Sequence, residues 1–218
     1  QTDRQTDRQT ARQTDRQTSI SYLRIIATIG IVCLHTFSTI AENEDMFSMT
    51  DAQRHFFNAG HLLWRWAVPV FFMITGALLL NPRRNIKYKE CIGKYCKRIF
   101  LVLMFFAVPF AALIQLSNGV RDLSLIWKSV IAIFIGQSFA HLWYLYALIG
   151  IYLLIPILKA FVENSDKHEL TYTLGVMFLF NFIVPTMERI TNASIAFLIP
   201  IGYSIFYVLA GYYLMYYV

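Results

Sequence analysis

The sequence predicts an all-α protein, a polytopic bundle of about seven transmembrane helices. Hydrophobic residues make up 57% of the 218-residue chain and charged residues only 15%, and the mean hydropathy is +0.50. Apolar stretches of about 18 residues, long enough to cross a bilayer as a helix, recur along the chain. The basic residues cluster beside these stretches, as they do in the cytoplasmic loops of membrane proteins.

The charge and the cysteines exclude several classes of protein. A net charge of +6 could indicate a nucleic-acid-binding protein, but the position of the basic clusters fits membrane topology better, so we expect no nucleic-acid partner. Three cysteines at irregular spacing predict neither a disulfide framework nor a metal site. The absence of G-x-S-x-G and H-E-x-x-H sequences argues against a serine hydrolase and a zinc protease.

Residues 1–18 differ from the rest of the chain. They read QTDRQTDRQTARQTDRQT, a four-residue repeat with one alanine as its only apolar residue. Such a segment has no apolar surface to bury, so we predict a disordered tail followed by a membrane domain over residues 19–218. The tail also lacks the apolar region that a secretory signal requires.

The charges around the first two spans indicate on which side of the membrane the N-terminus and the first two loops lie. Residues 20–40 are apolar and are followed by an acidic segment, which we place outside the cell. Residues 61–80 form the second span, in which Pro69 and Gly76 predict a kinked or interrupted helix. The next loop, residues 81–98, has seven Lys or Arg against one Glu. It is predicted to be cytoplasmic, as is the N-terminus, and it suits anionic lipid headgroups as well.

The later spans are less regular. After a third span at residues 99–116, residues 123–135 are apolar but short for a crossing and carry Lys128, so a tilted span and a re-entrant segment both stay open. This choice decides on which side of the membrane all later loops lie. The remaining predicted spans cover residues 142–158, 170–185 and 195–218. Since no polar tail follows the last span, we expect the chain to be truncated.

Arg24 and His35 in the first span are candidate site residues, because ionisable groups inside a membrane are costly and often functional. Eleven steps of about 100° bring both to one helix face, about 16 Å apart along the axis. Arg24 would lie near the cytoplasmic surface and His35 near the middle of the roughly 30 Å hydrocarbon core. A surface-anchoring arginine and a histidine satisfied by another helix would explain the pair equally well.

Four stretches match the motifs of one family, in the same order. Arg24 and His35 fit the pattern R-x10-H, and residues 65–76, RWAVPVFFMITG, are similar to R-x-x-V-P-x-F-F-x-x-S-G. The third stretch is the basic loop ending at Arg98, and the fourth is residues 141–156, which begin H-L-W-Y-L. The chain thus resembles the acyltransferase 3 family of integral membrane acyltransferases, which modify surface polysaccharides and related acceptors.

The chain also departs from the family pattern. Thr75 replaces the usual serine and keeps a hydroxyl group. Tyr95 stands three residues before Arg98, where the family usually has a second arginine. Members of the family have about ten transmembrane helices, and only about seven are predicted here. Catalytic groups on the remaining helices would lie outside this sequence.

The resemblance implies an O-acyltransferase in the plasma (inner) membrane that moves an acyl group, by analogy acetyl, from acyl-CoA to an acceptor. The acceptor would be a hydroxyl group of a cell-envelope glycan or a lipid-linked saccharide, and no metal is expected. His35 is the expected catalytic residue, as a general base or through a transient acyl-imidazole. Expected to bind the CoA phosphates are Arg24, Lys97 and Arg98.

Arg65 and Trp143 are the expected substrate-binding residues. Arg65 is predicted near the outer end of the second span, where snorkelling to the interface would explain it equally well. Trp143 could instead be an interface anchor. Two other readings of the whole chain stay open: a transporter or flippase of glycan intermediates, for which broken helices are also typical, and a non-functional fragment.

Overall fold

The structure is a computed structural model that describes residues 2–42, 49–84, 86–119, 124–134, 143–191 and 202–218; of residues 2–17, 132 and 134 it describes only the backbone. Its helices are α1 (Thr2–Glu42), α2 (Asp51–Trp64), α3 (Ala67–Leu79), α4 (Tyr88–Ser117), α5 (Ser124–Phe134), α6 (Trp143–Asn164), α7 (Lys167–Thr191) and α8 (Tyr203–Tyr216). No strand occurs in this part of the chain. The predicted all-α class is confirmed.

Five segments within the described ranges are long and apolar enough to cross a membrane. They are Thr18–Glu42, Asp51–Leu79, Tyr88–Ser117, Trp143–Asn164 and Lys167–Thr191. Two of the predicted spans correspond to shorter helices. The 11 residues of α5 extend about 16 Å, roughly half of a hydrocarbon core. The 14-residue α8 covers part of the last predicted span, and residues 192–201 lie outside the described residues.

The N-terminal repeat continues the backbone of α1, which begins at Thr2. Its sequence offers no apolar face that could pack against a neighbour, so a helix here would depend on local propensity alone. The division into a disordered tail, residues 1–18, and a membrane domain from residue 19 therefore stays a prediction.

The described chain divides into two compact units, of which the first comprises Gln1–Leu78 and Leu174–Val218. Glycines set the close approach of two of its helices. A side chain at Gly76 of α3 would overlap the backbone of α8 at Val208, and one at Gly211 would overlap the backbone of α3 at Met73. Small residues of this kind let transmembrane helices pack backbone against backbone.

The second predicted span is interrupted, but not where we expected. The break is the turn at Arg65 and Trp66, between α2 and α3. Pro69 lies in the first turn of α3, where its missing N–H costs no intrahelical hydrogen bond, and Gly76 lies within the regular helix. The segment also begins earlier, because Thr50 and Gln53 form a capping box that starts α2 at Asp51.

The second unit comprises Leu79–Thr173, and in it α4 and α6 run antiparallel. The Sγ atom of Cys96 lies 3.9 Å from the carbonyl oxygen of Ile149, and the rings of Tyr95 and Tyr152 are 5.7 Å apart. A step back along α4, from Cys96 to Tyr95, thus corresponds to a step forward along α6, from Ile149 to Tyr152, so the two helices run in opposite directions. A buried apolar cluster joins the two helices to α5 and contains Leu103, Ala107, Ala111 and Ile133.

The antiparallel pairing bears on the choice left open for residues 123–135. If both of these antiparallel helices cross the membrane, the segment that joins them begins and ends on one side, and α5 would then not cross it. It packs instead against both helices, and the Tyr146 hydroxyl of α6 donates a 2.6 Å hydrogen bond to the carbonyl oxygen of Ile133. The geometry favours the re-entrant interpretation. The α6 end at Asn164 then lies at the same end of this unit as the basic loop.

Candidate functional site

Arg24 and His35 lie on the uninterrupted helix α1, which gives them the common face that their spacing predicts. Arg24 is exposed and His35 is half-buried. The packed stripe of α1 runs beside them, about a quarter of a turn away, and consists of Ala27, Gly30, Leu34 and Ser38. The Arg24–His35 face therefore flanks the helix contact rather than filling it.

Glu42 continues this face beyond His35, and it is bonded to Ser38 of the packed stripe. The hydroxyl of Ser38, one helical turn on, donates a 2.7 Å hydrogen bond to a carboxylate oxygen of Glu42. Ser38 is only 6% exposed, so this bond satisfies a hydroxyl in the packed stripe. From the sequence we expected Glu42 in an outer segment and singled out neither residue, although their spacing of three and seven residues from His35 was the available signal.

The turn at Arg65 packs against the middle of α1. A Cβ atom at Gly30 would lie 2.9 Å from Cβ of Ala67, the first residue of α3, and 3.3 Å from Cε3 of Trp64. Gly30 is the middle residue of the apolar segment Thr18–Glu42. The exposed Arg65 thus lies level with the centre of the first span, whereas we had expected it near the outer end of the second.

This placement sets Arg65 between the levels of two other predicted site residues, Arg24 and His35. His35 is five residues beyond Gly30, which is about 7.5 Å along the helix axis. Arg65 is flanked by Trp64 and Trp66, whose rings are 6.1 Å apart. A cation thus lies at a break in a helix, about 7.5 Å along the axis of α1 from the level of a histidine.

Lys97 and Arg98 lie in the second unit, at the start of the regular part of α4, and both are exposed. The preceding turn is a π-helix, Cys91–Cys96, which buries both of its cysteines. Since the two cations follow a wider helical turn anchored by buried side chains, they point away from the packed side of α4. Their exposure permits contact with a phosphate group.

A set of four residues beside them, the Tyr95 cluster, was missed in the sequence analysis. Nη2 of Arg84 donates a 2.8 Å hydrogen bond to the Tyr95 hydroxyl, which is 3.4 Å from a carboxylate oxygen of Glu90. Nζ of Lys94 lies 3.6 Å from the same carboxylate and 5.7 Å from the centroid of the Tyr95 ring. Tyr95 thus holds two cations in the basic loop, and only the fold brings Arg84 to it across 11 residues.

Trp143 begins α6, at the end of the second unit opposite to Asn164 and the basic loop. Its ring is 52% exposed and contacts that of Tyr144 edge to face at a centroid distance of 6.3 Å. An exposed indole at this end can contact a bound ligand or anchor the helix at the membrane–water interface. The first two residues of the H-L-W-Y-L stretch, His141 and Leu142, lie outside the described residues.

The predicted site residues thus form two groups. The first unit holds Arg24, His35 and Arg65, and the second holds Lys97, Arg98 and Trp143. In the part of the chain that the structure describes, no three His, Cys, Asp or Glu side chains are grouped so as to hold a metal ion.

Comparison with protein families gave one finding. The family model Acyl_transf_3, described as an acyltransferase domain, matches residues 17–218. This is the whole chain apart from the first 16 residues of the repeat. No curated protein and no solved structure matches the chain.

Proposed function

The chain belongs to the acyltransferase 3 family, and from this premise we propose that it transfers an acetyl group from acetyl-CoA to a hydroxyl of a cell-envelope glycan or a lipid-linked saccharide. Its apolar helices and its family make it an integral membrane acyltransferase. The observation that supports the rest of the proposal is the packing of the turn at Arg65, through Trp64 and Ala67, against Gly30 of α1, whose level lies between those of Arg24 and His35.

His35 is the proposed general base. Its imidazole takes the proton of the acceptor hydroxyl while the hydroxyl oxygen attacks the thioester carbonyl carbon. The tetrahedral intermediate then breaks its C–S bond, and the imidazolium returns the proton to the leaving thiolate. The products are an acyl ester and free CoA, so no other reactant is consumed.

Arg65 is proposed to stabilise the oxyanion of the tetrahedral intermediate. A guanidinium group donates several hydrogen bonds from a fixed plane and keeps its charge inside a membrane site. The N-terminus of α3 begins two residues later, at Ala67, and adds its partial positive charge at the same depth. Helices broken within the bilayer place such charged ends at the binding sites of membrane proteins.

Arg24, Lys97 and Arg98 are proposed to bind the phosphates of CoA at the cytoplasmic surface. This assignment requires a cytoplasmic N-terminus and basic loop in the plasma membrane, which the excess of Lys and Arg in residues 81–98 supports. Trp143, at the other end of its unit, is proposed to contact the acceptor. The rival reading, a transporter of glycan intermediates, has no use for acyl-CoA.

The test is the transfer of radiolabelled acetyl from acetyl-CoA into membrane carbohydrate by membranes that contain the chain. The wild type, His35→Ala and His55→Ala are compared at matched amounts of inserted protein. His55 is an exposed histidine of α2 and serves as the matched control. We expect His35→Ala to lower the rate by about 10²–10⁴-fold, the range for loss of a general base, and His55→Ala to leave it unchanged. Equal rates in all three proteins would remove His35 from the chemistry, and no transfer by the wild type would refute the donor or the acceptor.

A further inference from the structure

Asn181 is a buried polar residue of α7 whose side chain has no hydrogen-bond partner among the described residues. It lies in the π-helical turn Leu179–Ile183, within a segment apolar enough to cross a membrane. The residue is 2% exposed, and neither Oδ1 nor Nδ2 of its carboxamide has a partner among the described residues. None of the residues proposed above for catalysis accounts for it.

An unsatisfied carboxamide in such a place costs free energy. Burial of an unpaired polar group is unfavourable by about 1–3 kcal/mol in proteins, and polar residues inside transmembrane segments commonly serve function. The usual membrane role of asparagine is a hydrogen bond to a neighbouring helix, and no such bond is made within the described part of the chain.

Aromatic residues flank Asn181 in the sequence of α7. The neighbouring rings of Phe178 and Phe182 are stacked at 5.2 Å, and Phe182 contacts three rings of α8, at Tyr203, Phe206 and Tyr207. These rings join the π-helical turn to α8 by contacts that are apolar and weakly directional. A π-helical turn is itself rare and is found often at functional sites.

We propose that the Asn181 carboxamide binds a substrate of the acyl transfer through an uncharged group that both donates and accepts hydrogen bonds. Two sources carry this chemistry: a hydroxyl of the acceptor and an amide of the CoA arm. The carboxamide offers both an acceptor and donors, and binding would open the contact between α7 and α8. This inference rests on the proposed function, because it assigns the ligand to that reaction.

The experiment compares the wild type with Asn181→Leu, which replaces the carboxamide by an apolar side chain of similar size. Thr186→Val is the matched control, since Thr186 lies on the same helix and its hydroxyl is already bonded to the carbonyl oxygen of Phe182 at 2.6 Å. Asn181→Ala is a second variant that introduces no bulk. For each protein in nanodiscs, we measure the thermal unfolding midpoint and the KM for acetyl-CoA and for the acceptor carbohydrate.

We expect Asn181→Leu to unfold at the same or a higher temperature, because an unpaired amide has been removed. We also expect Asn181→Leu to raise the KM for one of the two substrates about tenfold, which corresponds to about 1.4 kcal/mol. Asn181→Ala should raise the KM for the same substrate. A raised KM for the carbohydrate identifies the hydroxyl as ligand, and a raised KM for acetyl-CoA identifies the amide. Two unchanged KM values, or a lower midpoint for Asn181→Leu without substrates, would overturn the inference.

Failure of the proposed function can be told apart from failure of this inference. If the wild type transfers no acetyl, the same proteins are titrated with CoA and with octyl β-D-glucoside, a neutral amphiphile that carries hydroxyl groups into the bilayer. A thermal shift of the wild type by either compound that Asn181→Leu loses supports the site. Equal responses of the two proteins to both compounds would exclude it.

Discussion

Nζ of Lys159 donates a 2.9 Å hydrogen bond to the carbonyl oxygen of Asn81, a residue 78 positions earlier in the chain. Lys159 is only 5% exposed, although it lies in an apolar helix, and its ammonium group also pairs with Glu163 at 2.8 Å. The bond ties the far end of α6 to the first residue of the basic loop. A buried cation thus fixes both the direction of α6 and the start of the segment that carries Arg84 and Lys94.

Loss of this bond should destabilise the protein. We expect Lys159→Met to lower the free energy of unfolding by about 1–3 kcal/mol, because the carbonyl oxygen of Asn81 loses its buried donor. The control is Lys128→Met, at an exposed lysine of α5, which should change the stability by less than about 0.5 kcal/mol. Thermal unfolding in nanodiscs measures both. Equal midpoints for the two variants would show that the Lys159 bond contributes nothing to stability.

The antiparallel pairing of α4 and α6 predicts the sidedness of two loops. A cysteine at Asp166, after α6, should react with a membrane-impermeant maleimide only after the cells are permeabilised, as should one at Arg83 in the basic loop. A cysteine at Asn118, after α4, should react in intact cells. Labelling of Asp166→Cys and Asn118→Cys from the same side would mean that α5 crosses the membrane after all.

Arg24→Ala should weaken donor binding. An ion pair with phosphate contributes to the affinity for acetyl-CoA, so we expect its KM to rise about tenfold, as for a loss of about 1.4 kcal/mol. Arg54→Ala, at an exposed arginine of α2, is the control and should leave that KM unchanged. Steady-state rates over a range of acetyl-CoA concentrations decide the matter, and donor kinetics unaltered by Arg24→Ala would exclude Arg24 from the donor site.

Arg65→Ala should act on the rate of the chemical step. Loss of an oxyanion contact lowers kcat by about 10²–10³-fold, and we expect little change in the KM for acetyl-CoA. Arg65→Lys should restore only part of the rate, because lysine keeps the charge but lacks the planar donor group. If Arg65 only anchored the helix at the interface, the two variants would have the kcat of the wild type.

Two glycines of regular helices form a matched pair: Gly76 tests the packing of the first unit, and Gly150, in the second unit, is its control. Gly76→Ala should destabilise the chain by about 1–3 kcal/mol or more, because the new methyl group would overlap the backbone of Val208. This is the usual cost of overpacking. Gly150→Ala has open space around it and should stabilise α6 by about 0.5–1 kcal/mol. Unfolding midpoints that move in the same direction would contradict the close contact between α3 and α8.

Much of the site could be anticipated because it depends on spacing within one helix. The common face of Arg24 and His35 follows from helical periodicity, which holds wherever the helix is unbroken. The position of Arg65 could not be anticipated, since the expected breaks in the run that contains it were Pro69 and Gly76. Its turn is set by the contact of Ala67 and Trp64 with Gly30. The Tyr95 cluster was equally hidden, because its members come from two segments that meet only when the loop folds.

The sequence by itself determined the class of the protein, its family and the first three spans, because hydropathy, charge clustering and motif spacing are local properties of the chain. The tertiary structure alone decided that α4 and α6 run antiparallel, that the turn at Arg65 lies level with the middle of α1, and that Asn181 has no hydrogen-bond partner among the described residues. Each of these depends on which helix faces which. Apolar helices in lipid pack through shape and a few polar contacts rather than through a hydrophobic pattern that can be read along the chain.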